Sequence, residues 1–113
     1  MDVVEQQSGA TRCVTLSGSL DIYCAAEMRE RLAALLQQHP VLELNLAEVE
    51  EIDTSGVQLL LAAKQMASNL GHMLKLAAHS APVLATLELC KLLPYFGDPV
   101  VEFGTPRTTK DAA

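Results

Sequence analysis

The chain has 113 residues, 50% of them hydrophobic, and a formal net charge of −6. That length is the usual size of one domain, and the hydrophobic share supplies a core without metal or disulfide staples. The acidity disfavours the classes that need clustered Lys and Arg, namely binders of a nucleic-acid backbone and of an anionic membrane surface.

Aromatic residues make up 4% of the chain, so Leu, Val and Ala must fill the core, which suits helices packed on a sheet. Cys13, Cys24 and Cys90 are odd in number and show no C-x-x-C spacing. That argues against a disulfide framework or a zinc site and for reduced thiols in a cytoplasmic protein. Residues 1–5 (MDVVE) carry no basic segment followed by an apolar run, so no signal peptide is expected. No apolar stretch is long enough to span a bilayer.

In chain order, Val3-Val4 is a short β-prone start, followed by a turn at Ser8-Gly9. Residues 13–17 (CVTLS) read as a second strand ended by Gly18, able to pair with the first as a hairpin. Asp21 opens a helical pattern in which Ala25, Met28, Leu32, Leu35 and Leu36 share one face, and Pro40 stops it. Residues 41–46 (VLELNL) form a strand, and residues 47–52 read as a solvated connection with three acids, Glu48, Glu50 and Glu51.

After Asp53-Thr54-Ser55-Gly56, a second helix places Val57, Leu60, Leu61, Lys64, Ala67 and Leu70 at helical spacing, with Gly71 as its C-terminal cap. Residues 73–77 (MLKLA) read as a strand. Ser80 caps a third helix with Pro82 in its first turn and Val83, Leu84, Leu87 and Cys90 on its apolar side, ending before Pro94. The run Leu87, Leu89, Leu92, Leu93 reads as core rather than interface, with partial exposure of residues 92–96 left open. Residues 99–103 give a last short strand, and 104–113 a polar tail expected to be disordered. Strands alternating with helices imply a parallel or mixed sheet. The expectation is one α/β domain over 1–103, with four to five strands covered by three to four helices on one side.

The informative spot is Ile52-Asp53-Thr54-Ser55-Gly56-Val57, which puts three oxygen-bearing side chains at a helix start. Asp, Thr and Ser are the preferred N-caps, since their oxygens accept from unpaired first-turn amides, and capping alone accounts for all three. The same geometry also tolerates a phosphate, which would sit near free N–H groups and the positive end of the helix dipole. Phosphorylation there adds charge and bulk to a surface without unfolding the domain.

The segments Leu16-Ser17-Gly18-Ser19-Leu20-Asp21, Leu44-Asn45-Leu46 and Ile52-Asp53-Thr54-Ser55-Gly56-Val57 together resemble the STAS family, whose members include antagonists of anti-sigma factors. The similarity runs on through Leu74-Lys75-Leu76 and the helix near Val83 to Leu87, and covers all but the tail. The resemblance implies a non-enzymatic module that, unphosphorylated, binds a serine kinase with a histidine-kinase-like ATPase fold, itself the anti-sigma factor. Phosphorylation in the motif releases it, and a PP2C-type phosphatase resets it. Carried over, Ser55 is the acceptor and Thr54 the second candidate. Asp53 holds the loop and orients the acceptor, and Asp21 lies near the same surface.

Gly97-Asp98-Pro99 after Tyr95-Phe96 resembles STAS proteins of bacterial chemotaxis. STAS domains also serve as subunits of lipid transporters, so the alternative is a constitutive subunit bracing an ATPase of a lipid-transport complex. No cofactor is implied.

Other chemistries lack support. There is no Gly-x-Ser-x-Gly elbow to make Ser55 a hydrolase nucleophile, and no Gly-x-Gly-x-x-Gly or P-loop to cradle a nucleotide. His39 and His72 read as solvated turn residues and His79 as a surface histidine, none at ligand spacing for a metal. The Glu48, Glu50, Glu51 group has a second reading as a docking edge for a basic groove.

Overall fold

The computed structural model describes residues 1–92, and the expected strand at 99–103, the Tyr95-Phe96-Gly97-Asp98-Pro99 segment and the tail lie outside them. Within that range the order is β1 (Asp2–Ser8), β2 (Thr11–Leu20), α1 (Ile22–Gln38), β3 (Val41–Ile52), α2 (Thr54–Leu70), β4 (Met73–Ala77) and α3 (Ala81–Leu89). The strands form one sheet in the order β1-β2-β3-β4. β1 and β2 are antiparallel, with Ser8 opposite Thr11 across a turn in which Gly9 has φ 60°. β2–β3 and β3–β4 are parallel, each joined through a helix, as parallel neighbours require.

The alternation of the strands decides the layers. Val14 and Leu16 of β2, Leu42, Leu44 and Leu46 of β3, and Leu74 and Leu76 of β4 are all buried, so one sheet face is apolar along three adjacent strands. Met28, Leu32, Leu35 and Leu36 of α1, Leu59, Leu60, Ala63 and Ala67 of α2, and Val83 and Leu87 of α3 join that same cluster. The three helices therefore cover one side, as expected for the family resemblance. At the rim, Glu5 of β1 holds Arg12 at 3.2 Å and Arg31 of α1 at 3.0 Å.

Four expectations need correction. Gly18 does not end β2: the strand runs on to Leu20 with Gly18 at φ 109° inside it. Residues 47–52 are not a solvated connection but the second half of β3. The reason for both lies in the register. Thr15 pairs Asn45 and Ser17 pairs Glu48, so β3 gains one residue over β2, and a second is gained between Gly18 and Ser19. These are bulges. The Asn45 side chain accepts from the Ala47 amide at 2.9 Å, taking up a donor at the first bulge. After Leu46 the next buried residue is Val49, a step of three that breaks the period of two.

Third, α3 stops at Leu89, leaving Cys90 exposed and Leu89 83% exposed, so neither is core. Leu70 of α2 is likewise exposed. Fourth, His72 is half-buried rather than solvated, with Nδ1 2.7 Å from the Leu36 carbonyl oxygen. The five-residue β4, the Gly71 cap of α2 and the Ser80 cap of α3 fall where the sequence puts them.

Candidate functional site

The site follows from one register pair. Leu20, the last residue of β2, lies opposite Ile52, the last residue of β3. Each strand is followed by an aspartate that caps a helix, Asp21 for α1 and Asp53 for α2. Pairing of the strand ends therefore brings the two helix starts side by side at one edge of the sheet. This is the edge at which parallel α/β sheets expose their loops.

The two caps differ. Asp21 accepts locally, from the Tyr23 amide at 3.0 Å. Asp53 serves both helices: one carboxylate oxygen accepts from the Gly56 amide at 3.1 Å, and the other from the Ile22 amide of α1 at 3.2 Å. The Asp53 amide also donates to the Leu20 carbonyl at 3.3 Å. One residue, through its side chain and its main-chain amide, thus ties the ends of β2 and β3 to the starts of α1 and α2.

Gly56 is required by close approach rather than by φ. A Cβ there would overlap the Leu20 carbonyl oxygen and lie 2.8 Å from Ile52 Cγ1. The glycine lets the first turn of α2 rest directly on the strand ends.

Thr54 and Ser55 stand between these anchors. Thr54 is exposed and Ser55 half-buried. Asp53 is the N-cap, and neither hydroxyl makes a hydrogen bond among the described residues. The amides of Thr54 and Ser55 belong to the first turn, where no helical acceptor exists. The five residues singled out from sequence, Asp21, Asp53, Thr54, Ser55 and Gly56, are brought together, three as scaffold and two with unclaimed hydroxyls.

Two concavities flank the loop. One, of about 450 Å³, is lined by Asp21, Tyr23, Glu50, Glu51, Ile52, Asp53 and Pro82. Two of the acids of residues 47–52 thus sit beside the loop, on a strand. Glu48 and Glu51 accept from Ser17 and Ser19 at 3.0 and 3.5 Å across the β2–β3 ladder. The other, a groove of about 280 Å³ between α1 and α2, is lined by Ala25, Ala26, Arg29, Ser55, Gln58 and Leu59.

Sequence reasoning missed Tyr23 and Arg29. Tyr23 is 93% exposed and Ile22 65% exposed, and a signal existed: neither lies on the face shared by Met28, Leu32 and Leu35. Arg29 lies off the apolar face of α1, and nothing local in the sequence marks it as a neighbour of Ser55 in that groove. The three cysteines are free thiols. Among the described residues there is no group of His, Cys, Asp or Glu able to hold a metal ion. No helix among them is long and apolar enough to cross a membrane.

A mixed sheet covered on one side by three helices, with two capped helix starts side by side at its edge, defines a small α/β domain. The chain belongs to the STAS family: the family model described as "Mlab, STAS domain" matches residues 3–93. It is 28% identical over 79 residues to the anti-sigma-B factor antagonist of Bacillus subtilis (strain 168), spanning 70% of this chain and 72% of that protein. Its fold matches an anti-sigma factor antagonist from Mycobacterium paratuberculosis with TM-score 0.77 and 19% identity, over 88% of this chain and 86% of that one. It also matches the anti-sigma factor antagonist SpoIIAA in its unphosphorylated form, with TM-score 0.70 and 20% identity, over 88% and 90% of the two chains.

Proposed function

We propose that this chain is a cytoplasmic, non-enzymatic binding module of the anti-sigma factor antagonist type, gated by phosphorylation of Ser55, with Thr54 as second acceptor. Unmodified, it binds a serine kinase of histidine-kinase-like ATPase fold that is also the anti-sigma factor. Modified, it releases that partner, and a PP2C-type phosphatase resets it.

One observation carries the reading. Capping of α2 is already performed by Asp53, so the hydroxyls of Thr54 and Ser55 have no task in the fold and stand open at a helix start. A phosphate there adds roughly −1.5 to −2 charge and three acceptor oxygens, next to Asp21, Asp53, Glu50 and Glu51, on the surface a partner would cover. Bulk and desolvation at that surface then lower affinity, while the core stays untouched. The constitutive alternative, a subunit bracing a lipid-transport ATPase, would use the same surface with Thr54 or Ser55 as packing or capping residues and no phosphate. The family match is common to both readings, but Asp53 removes the capping role.

The test is intact mass and peptide mapping of protein purified from its native cells under phosphatase inhibition, alongside a Ser55→Ala variant. Phosphate on Ser55 or Thr54 is expected. An unmodified chain across growth conditions, with a fully functional variant, would overturn the switch and favour the constitutive subunit.

A further inference from the structure

The environment of Ser55 is asymmetric in charge. On one side lies the depression with Asp21, Glu50, Glu51 and Asp53. On the other, Ser55 lines the α1–α2 groove, where Arg29 is the one charged residue among those lining it. The walls explain why nothing competes for that cation. The neighbours of Arg29 one turn away on α1 are Ala25, Ala26, Leu32 and Ala33, and α2 contains no Asp or Glu over its whole length. Among the described residues Arg29 makes no salt bridge or hydrogen bond, whereas Arg12 and Arg31 are held by Glu5, and Lys64 donates to the Leu74 carbonyl. Small alanine side chains leave the groove open between the two.

We propose that Arg29 is the intramolecular receptor of the phosphate on Ser55. Repelled by the acidic depression, the phosphate turns into the groove and pairs with the guanidinium across α1 and α2, a geometry in which Arg binds phosphate through two donors. The proposal rests on the reading of Ser55 as the acceptor and adds a second consequence of modification. Arg29, exposed in the unmodified chain, is withdrawn from any partner at the moment the negative charge appears. Release then combines an added anion with a removed cation, and the phosphorylated groove is bridged. Arg29 is a positioning residue for the phosphate.

The test uses the full chain with phosphoserine installed at position 55 during synthesis, so that no native kinase is needed. Phosphorus NMR titrates the phosphate in the otherwise unaltered chain, in Arg29→Gln and in Arg29→Lys. The groups facing it are Arg29 of α1, the caps Asp21 and Asp53, and Glu50 and Glu51 of β3. The carboxylates raise its second pKa and Arg29 lowers it. The expected result is a midpoint about half a pH unit higher in Arg29→Gln than in the parent, with Arg29→Lys between them. Raising salt should narrow the gap. Equal midpoints in parent and Arg29→Gln would overturn the pairing. Failure of the switch itself reads out elsewhere, as absence of phosphate on protein from native cells, and leaves this titration unchanged.

Discussion

The two ends of α2 rest on the same sheet but treat their polar groups in opposite ways. At the C-terminal end a set of main-chain and side-chain donors holds the turn. Gly71 takes the left-handed conformation at φ 71°, and its amide donates to Ser68 at 3.1 Å. The His72 amide donates to Ala67 at 2.9 Å, and the Met73 amide to Pro40 at 2.8 Å. His72 Nδ1 donates to Leu36 at 2.7 Å, and Lys64 Nζ to Leu74 at 2.7 Å. At the N-terminal end Asp53 alone ties the elements, and the hydroxyls of Thr54 and Ser55 are left over. At the helix start these two hydroxyls stand side by side, beside the aspartate that does the capping.

The largest effect on this contrast should come from Gly56→Ala, since the new methyl meets main chain at Leu20 and a branched side chain at Ile52. Forcing it in should cost about 3 kcal/mol, read as a lower urea midpoint at unchanged slope. An unaltered midpoint would mean that α2 does not rest on the strand ends. Asp53→Ala comes next, because two amides on two helices lose their acceptor. A loss of about 2 kcal/mol is expected, against about 1 for Asp21→Ala, whose cap is local. Equal losses would remove the distinction between the two aspartates. At the other end, Gly71→Ala places a Cβ at φ 71° with open space around it. It should cost about 1 kcal/mol from backbone strain alone.

How much of this was legible in the sequence depends on whether the signal is local. The bounds of β4, the Ser80 and Gly71 caps and the apolar face of α1 from Met28 to Leu36 are set by residues a few positions apart, and all could be read. The second half of β3 was not, because two bulges against β2 shift the buried position from Leu46 to Val49 and disguise a strand as an acidic loop. The Asp53 cap on Gly56 was legible for a similar reason, since the two residues are three apart. The bond from Asp53 to the start of α1 depends on Leu20 standing opposite Ile52, and the groove joining Ser55 to Arg29 depends on how two helices pack. Neither is written in any short stretch of chain.

The smallest expected effect is the sharpest test of the comparison. Ser55→Ala removes a hydroxyl that makes no hydrogen bond among the described residues from a half-buried position. Its stability should therefore stay within about 0.5 kcal/mol of the parent by urea or thermal unfolding. Were Ser55 a cap, truncation would cost about 1 kcal/mol, and that result would return it to the scaffold with Asp53. An unchanged unfolding midpoint, joined to partner binding that no longer responds to the kinase, would instead separate the two properties in one residue. Folding would be indifferent to Ser55 while regulation depends on it, as the proposed switch requires of a side chain whose hydroxyl the fold does not use.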